Sequence, residues 1–358
     1  MGDKLRVGLI GLGAVGRLHL EAYRSARRIE VVAIAEPDAG RRAVATAADV
    51  ALYADAAEML AREALDIACV LTPAASHAGL TERCANAGVH VLCEKPLAAS
   101  LDEARAMIGA CAKAGVRLAY GASYRFLPAI ARARALIAEG ALGDIVLMRE
   151  QAIGGAGPDS REVLSEAHYP AGLPGGSPMG LVDHGVHLID AFAWMTGARV
   201  TGAFGRGNIS GQPLAAEHLT MTFANGAVGL LAYDEGTFAS DLPGEGQFSW
   251  GASWDADGYH PGGAWAAHPG TIHVHGTKGA LRIFHYANAL FLNDAGGIRQ
   301  LPLRGRPAPH HFADQIDAFA EDLGLGRPPR SAAEDGLKAL EVLFAAYRGA
   351  DQGRLITL

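Results

Sequence analysis

The first 123 residues alternate between two hydrophobic rhythms. Short, continuous apolar runs read as buried strands: "LRVGLI" at 5–10, "VVAIAEPD" at 31–38, "DIACVLTP" at 66–73, "VHVLCEKP" at 89–96 and "VRLAYGASY" at 116–124. The segments between them, such as "SHAGLTERCANAG" and "SLDEARAMIGACAKAG", repeat at helical spacing. In the second of these, Ser100 followed by Glu103 forms a capping-box pattern. Gly115 stands where a helix stop belongs. Repeated strand–helix units predict a parallel sheet with helices on both faces. Ligand then lies at the carboxyl ends of the strands.

From residue 124 the rhythm changes. "FLPAIARARALIAEGALGDI" predicts an amphipathic helix ended by Gly140 and Gly143. After it come alternating strand and turn patterns: "DIVLMREQAIG", "ARVTGAFGRGNI", "EHLTMTFANGAVGLLAYDEG" and "TIHVHGTKGALRIFHYANALFLND". Asn225-Gly226 marks a hairpin. Successive hairpins predict an open, mostly antiparallel sheet. "HHFADQIDAFAEDLG" and "SAAEDGLKALEVLFAAY" return to helical period. The expected division is an α/β domain with a doubly wound parallel sheet over 1–123, then an α+β domain over 124–358.

Composition narrows the class. The 358 residues suffice for two domains, and 50% hydrophobic with 19% charged residues excludes general disorder. A net charge of −7 argues against a nucleic-acid partner. No apolar run reaches ~18 residues, so no membrane span is expected. The start lacks the basic–apolar–small order of a signal peptide, so the expected location is the cytoplasm. Cys69, Cys84, Cys93 and Cys111 form no C-x-x-C pair and read as buried structural thiols. No Cys/His spacing resembles a metal site.

The first strand runs into Gly11-x-Gly13-x-x-Gly16 and then a helical pattern, the context in which a glycine-rich turn signals dinucleotide binding. Gly11 permits the turn. Gly13 lets backbone approach a pyrophosphate, and Gly16 lets the helix pack on the strand. The helix start, with Ala14 and Val15, faces the phosphates. Glu36, twenty residues on, suits the adenosine ribose hydroxyls and favours NAD over NADP. Arg41 and Arg42 could instead meet a 2′-phosphate or form a solvated helix face. The same rim would carry Thr72, Pro73, Glu94, Lys95 and Pro96. Lys95 could hydrogen-bond a substrate oxygen, although an exposed turn lysine fits the residue type equally.

The stretch "GSPMGLVDHGVHLID" at 176–190 places Asp183 and His187 four apart in an otherwise apolar, helix-like run, hence on one face. His184 points off that face, where an apolar residue would be expected. Asp190 reads as structural. "GLIGLGAVGRLHL", "LTPAASHAGL", "CEKPLA", "YRFLPAI", this stretch and the tail "AAYRGADQGRLITL" occur in an order that resembles the Gfo/Idh/MocA oxidoreductase family over nearly the whole chain. The resemblance implies an N-terminal Rossmann domain and a C-terminal sheet often used for homodimers or homotetramers. It implies that Lys95, Asp183 and His187 form the catalytic group. It also implies an NAD-dependent dehydrogenase acting on a secondary alcohol of a sugar or cyclitol. A neutral histidine suits a general base near pH 7. The remaining candidates are His77 for the cofactor, and Tyr124, Arg125 and Tyr169 for the substrate; for Arg125 a structural salt bridge is an equal expectation. Two alternatives stay open. One is a redox-neutral glycosidase or lyase that oxidises and re-reduces a sugar on retained NAD, with Tyr124, His168 or Tyr169 as an extra acid or base. The other is a non-catalytic NAD-binding regulator. The stretch at 246–270 holds Trp250, Trp254, Tyr259 and Trp265, fit either for stacking on a sugar or for self-packing. His273 and His275 share a strand face and read as structural.

Overall fold

In the computed structural model, which describes residues 4–45, 50–155, 180–207, 216–238, 253–255, 258–260 and 271–358, the N-terminal runs become six parallel strands. These are β1 (Leu5–Ile10), β2 (Ile29–Ala35), β3 (Ala51–Tyr53), β4 (Ile67–Val70), β5 (His90–Cys93) and β6 (Leu118–Tyr120). They lie in the order β3-β2-β1-β4-β5-β6, the doubly wound arrangement. Helices α1 (Ala14–Tyr23), α2 (Ala39–Val44), α3 (Ala56–Arg62), α4 (His77–Asn86) and α5 (Leu101–Ala114) make the crossovers. The strands are buried along their length at β4, as expected where helices cover both faces. Ser100 accepts from the Glu103 N–H, and Glu103 reaches back to the Ala99 N–H, so the capping box forms with its return bond one residue before the cap. Gly115 ends α5 in the left-handed conformation.

Register decides where the site lies. Ala35, Ile10, Val70, Cys93 and Tyr120 form one rung across five strands. The residues just past it, Glu36, Gly11, Leu71, Glu94 and Gly121, therefore line one edge. Ladder hydrogen bonds extend across that edge from Gly11, Leu71, Glu94 and Gly121. At Gly121 a Cβ would meet Glu94 Cα at 2.8 Å and Lys95 N at 3.0 Å.

The chain divides into two compact units. The first is Met1–Ala122 with Pro309–Leu337, and the second is Ser123–Ala308 with Lys338–Leu358. The sequence reading kept 124–358 together, whereas Pro309–Leu337 returns to the first unit. Three contacts explain the return. The Tyr120 N–H donates to Ser331 O, Ala119 bridges to Ala332, and α8 (His311–Gly324) packs its apolar face on α1. His19 and Phe312 rings meet there at 4.1 Å.

The second unit holds α6 (Pro128–Ala138) and a nine-stranded sheet. Its strands are β7 (Ile145–Gly155), β8 (Val200–Gly207), β9 (Ala216–Phe223), β10 (Val228–Phe238), β13 (Thr271–Gly276), β14 (Gly279–Phe284), β15 (Ala289–Asp294), β16 (Gly297–Gln300) and β17 (Ile356–Thr357). Between β10 and β13, β11 (Ser253–Asp255) pairs with β12 (Gly258–His260) as a separate two-stranded sheet. The large sheet runs β16-β15-β14-β13-β7-β10-β9-β8-β17, and every pairing is antiparallel except β7 with β10. Gly226, with φ of 85°, closes the β9–β10 hairpin at Asn225-Gly226. On one face Met148, Glu150, Leu219, Met221, Leu231 and Tyr233 are buried. On the other, Leu147, Arg149 and Thr220 are half-exposed and Leu230 is exposed. Helix α7 (Val186–Thr196) belongs to this unit, as does most of α9 (Ala333–Gln352). Among the described residues, no helix is long and apolar enough to cross a membrane.

Gly121→Ala should lower stability by ~1–3 kcal/mol, because the backbone of Glu94 and Lys95 must move aside. Urea unfolding measures this, and an unchanged midpoint would show that the edge of the sheet yields freely.

Candidate active site

The first unit supplies a glycine corner. Gly11 has φ of 99°, and a Cβ there would meet Leu71 O at 2.8 Å. A Cβ on Gly16 would fall 2.3 Å from Gly11 O, so the start of α1 lies directly against the exit of β1. At Gly13 nothing lies within 4 Å of a built Cβ. Gly13 precedes α1 without a side-chain cap, which leaves backbone donors of the first turn facing outward beside the exposed Val15. This is the cradle a dinucleotide pyrophosphate requires: open at Gly13, closed behind at Gly16, and electropositive at the helix start.

Glu36 is buried, and its carboxylate accepts from the Leu12 N–H at 2.7 Å and the Asp38 N–H at 3.0 Å. It thus ties the end of β2 to the glycine corner. Arg41 reaches to 3.9 Å from Glu36 while staying largely exposed. Arg42 turns back to the carbonyls of Glu36 and Pro37.

Thr72, Pro73, Glu94 and Lys95 lie just past the ends of β4 and β5. Lys95 is half-buried and precedes Pro96 through a cis peptide bond. Glu94 points inward, 3.0 Å from His19 Nε2, whose other nitrogen is 2.9 Å from the Tyr23 hydroxyl. Burial pushes the Glu94 carboxyl up, but the hydrogen bond and charge of His19, then Lys95, hold it below its ordinary value. His77 is also internal. Its Nε2 donates to Thr72 O at 2.7 Å, and its Nδ1 lies 3.0 Å from Pro96 O. Burial pushes its pKa down against the opposing effect of these carbonyls. His77 therefore joins the two edge loops. Glu94 and His77, expected beside the cofactor, are placed as interior ties. Burial raises Cys69 and Cys84 to about 12, and all four cysteines are free and buried.

The second unit supplies a helix with an irregular start. The expected helix over the Asp183 stretch begins as a π turn, Leu181–Gly185, and continues as α7. The Gly185 N–H donates to Gly180 O at 3.0 Å, the wider hydrogen bond that defines this turn. Glu217 on β9 accepts from the Leu181 N–H and from the Tyr347 hydroxyl, fixing the first residue. From Gly180 to Phe192 every residue is buried except Asp183 and His187, which are half-buried. These two reach outward together from an otherwise enclosed segment.

A short 3₁₀ turn, Ser123–Phe126, grips this helix with two consecutive side chains. The Tyr124 ring stacks on His187 at 4.1 Å with 6° between planes. Arg125 forms a bidentate pair with Asp190, with Nε to Oδ2 at 2.8 Å and both side chains buried. That pair gives Asp190 the structural role read from the sequence and occupies the Arg125 guanidinium. His184 faces the sheet, 3.0 Å from Glu150 Oε2, and its Nδ1 lies 3.3 Å from the Tyr124 hydroxyl. His273 and His275 stack loosely on one face of β13. His168, Tyr169, Trp250 and Trp265 lie outside the described residues, as do the side chains of Trp254 and Tyr259.

Two family models cover most of the chain: the oxidoreductase family with NAD-binding Rossmann fold matches residues 5–122, and the Gfo/Idh/MocA C-terminal domain matches 130–282. The chain belongs to the Gfo/Idh/MocA oxidoreductase family. It is an enzyme of the oxidoreductase class with an NAD(P)-binding Rossmann domain. A D-apiose dehydrogenase of Paraburkholderia graminis is 29% identical over 99% of this oxidoreductase and 90% of its own length. A D-xylose 1-dehydrogenase (NADP(+)) of Haloferax volcanii is 37% identical over 39% of this chain and 43% of its own. The crystal structure of aldose-aldose oxidoreductase from Caulobacter crescentus, complexed with glycerol, has the same fold. Its TM-score is 0.80 at 23% identity, covering 99% of this chain and 100% of that one.

Sequence reasoning missed Glu150, Glu217, Tyr233 and His285 of this oxidoreductase, because the groups that each meets in the folded chain lie far away in the sequence. Removing the Arg125 partner tests the anchoring of α7. Asp190→Ala should cost ~3–5 kcal/mol, since it leaves a buried guanidinium uncompensated. A loss within the range of a surface ion pair, under about 1 kcal/mol in urea unfolding, would show that the pair anchors nothing.

Proposed function

We propose that the protein is an NAD-dependent dehydrogenase of a secondary alcohol in a sugar or cyclitol, with His187 as general acid/base and Asp183 and Lys95 as the other members of its catalytic group. The observation that carries this reading is the pairing of Asp183 and His187 as the half-buried residues of a segment enclosed on all other sides. When bound, the nicotinamide dinucleotide supplies the redox chemistry, taking or giving a hydride at carbon. The chain's own residues manage the proton and the charge. His187 takes the hydroxyl proton, with its ring plane fixed by the Tyr124 stack. Asp183, one turn earlier, orients the substrate hydroxyl. Lys95 donates to the same oxygen and stabilises developing alkoxide character.

The glycine corner fits the cofactor on geometry: an open position at Gly13, an uncapped helix start, and no room behind Gly16. NAD is favoured over NADP because Glu36 sets a carboxylate at the end of β2, where a 2′-phosphate would be repelled. Arg42 is occupied by backbone carbonyls. Sugar-active relatives such as the D-apiose dehydrogenase support the substrate class. The same reading has the enzyme working in the cytoplasm as a homodimer or homotetramer, joined through the second unit's sheet. The exposed Leu230 and half-exposed Leu147 on its outward face support that surface; light-scattering mass in solution tests it.

Purified protein at near-stoichiometric concentration, mixed with NAD or NADP and a panel of aldoses, inositols and glycosides, should give multiple turnovers of reduced nicotinamide with NAD and one polyol class. A burst limited to one cofactor per chain, or product without net NADH, would overturn simple dehydrogenation in favour of redox-neutral chemistry. His187→Asn and Lys95→Met should each lower kcat/KM by ~10²–10⁴-fold while leaving cofactor affinity unchanged. Loss confined to KM would remove His187 from the proton-transfer role and Lys95 from stabilising the alkoxide. Glu36→Ala should narrow the preference for NAD over NADP, read as the ratio of the two kcat/KM values. An unchanged ratio would mean that other groups select the cofactor.

A further inference from the structure

Beneath the Asp183–His187 segment lies a second polar cluster that the dehydrogenase reading does not use. Glu150 comes from β7, His184 from the π turn, and His285 from the residue after β14. Their side chains are almost wholly enclosed. One ligand-type atom from each lies within 4.8 Å of the others. His184 Nε2 is 3.0 Å from Glu150 Oε2, and His285 Nε2 is 3.8 Å from Glu150 Oε1.

The two carboxylate oxygens differ. Oε2 accepts from His184 and from the Tyr233 hydroxyl at 2.7 Å. Oε1 is equally buried and has no hydrogen-bond partner. The 3.8 Å to His285 is too long for a hydrogen bond. A carboxylate oxygen left in that state is costly in an enclosed site. The same spacing suits two ligands of one metal ion. Donors ~2.0–2.1 Å from a tetrahedral zinc lie roughly 3.4 Å apart. The observed 3.0 and 3.8 Å separations bracket that value.

We propose that Glu150, His184 and His285 form a buried site for one divalent transition-metal ion of the zinc type. Two neutral imidazoles and one carboxylate are a donor set that zinc-like ions accept. The surroundings supply the outer support such sites use, because His184 Nδ1 faces the Tyr124 hydroxyl at 3.3 Å and can donate to it. The ion would pin three segments that are far apart in sequence: β7, the π turn that carries Asp183, and the turn after β14. Through Tyr124, which stacks on His187, it would also hold the outward-facing histidine in place. Its role is therefore positional, and its binding can be read without any assay of the redox reaction.

The test starts from the full-length protein treated with chelator and titrated with Co²⁺ alone, following visible ligand-field absorption. The expected result is saturation at one Co²⁺ per chain, with the intense bands of a low-coordinate site, and displacement by Zn²⁺. Glu150→Gln and His285→Asn should weaken uptake by more than about tenfold. His275→Ala, on β13 and outside the trio, should not. If the wild type shows no stoichiometric Co²⁺ or Zn²⁺ uptake, the proposal falls whatever the variants do, and the trio is an ion pair without metal. Uptake unchanged in both ligand variants, or lost equally in His275→Ala, would also overturn it by placing the ion elsewhere.

Discussion

No side chain fits at Gly16. That single exclusion brings α1 hard against the exit of β1, and the corner it creates sets the geometry of the first unit's ligand edge. The backbone saved there is spent at once on other contacts. Leu12, inside the corner, gives its N–H to Glu36, which fixes the end of β2. Parallel register then carries the edge across to β4, β5 and β6 at the same level. Lys95 falls on that edge because it stands two residues past the last paired residue of β5. Gly121, which admits no Cβ beside Glu94 and Lys95, keeps β6 close enough to close the row. A ligand-binding edge here is a consequence of where glycine permits contact and where parallel ladders stop.

The second unit solves a different problem, since it must hold titratable groups inside a hydrophobic layer. Buried charges persist only with partners of good geometry. Asp190 has Arg125, Glu217 has the Leu181 N–H and the Tyr347 hydroxyl, and Glu150 has His184 and the Tyr233 hydroxyl. Each of these partnerships also fastens the helix carrying Asp183 and His187, or the turn before it. The two outward residues are thus held by a shell of inward ones. The π turn adds one residue to the first loop of that helix, and such single-turn irregularities gather at functional sites.

Much of the first unit was readable in the sequence because its signals are local. The glycine spacing, the strand at Leu5–Ile10 and the capping box at Ser100 each involve residues a few positions apart, and each formed as the pattern required. Strand ends were less readable. The apolar run over 66–73 continues past β4, which ends at Val70, since loop residues at a buried edge are apolar too. The three-residue edge strand β3 is too short to carry a period. The pairing of Asp183 with His187 could be seen from their four-residue spacing, but the π turn could not, since one added residue leaves an apolar pattern intact. The partners of Asp190 and His184 could not be seen at all. Arg125 and Glu150 lie 65 and 34 residues away, and only the folded sheet brings them in. The return of Pro309–Leu337 to the first unit is of the same kind, because an amphipathic helix does not announce which surface it will cover.

The claim on which the rest depends is that the glycine corner seats a dinucleotide. Gly13 offers a clean test, since its backbone is extended with φ of −66° and nothing lies within 4 Å of an added Cβ. Calorimetric titration of NAD into wild type and Gly13→Ala isolates the ligand's need for that space from the fold's. The account predicts one NAD per chain in the wild type, affinity at least about tenfold weaker in Gly13→Ala, and an unchanged thermal midpoint. Equal affinity in the two proteins would contradict it, because the pyrophosphate would then not lie against Gly13.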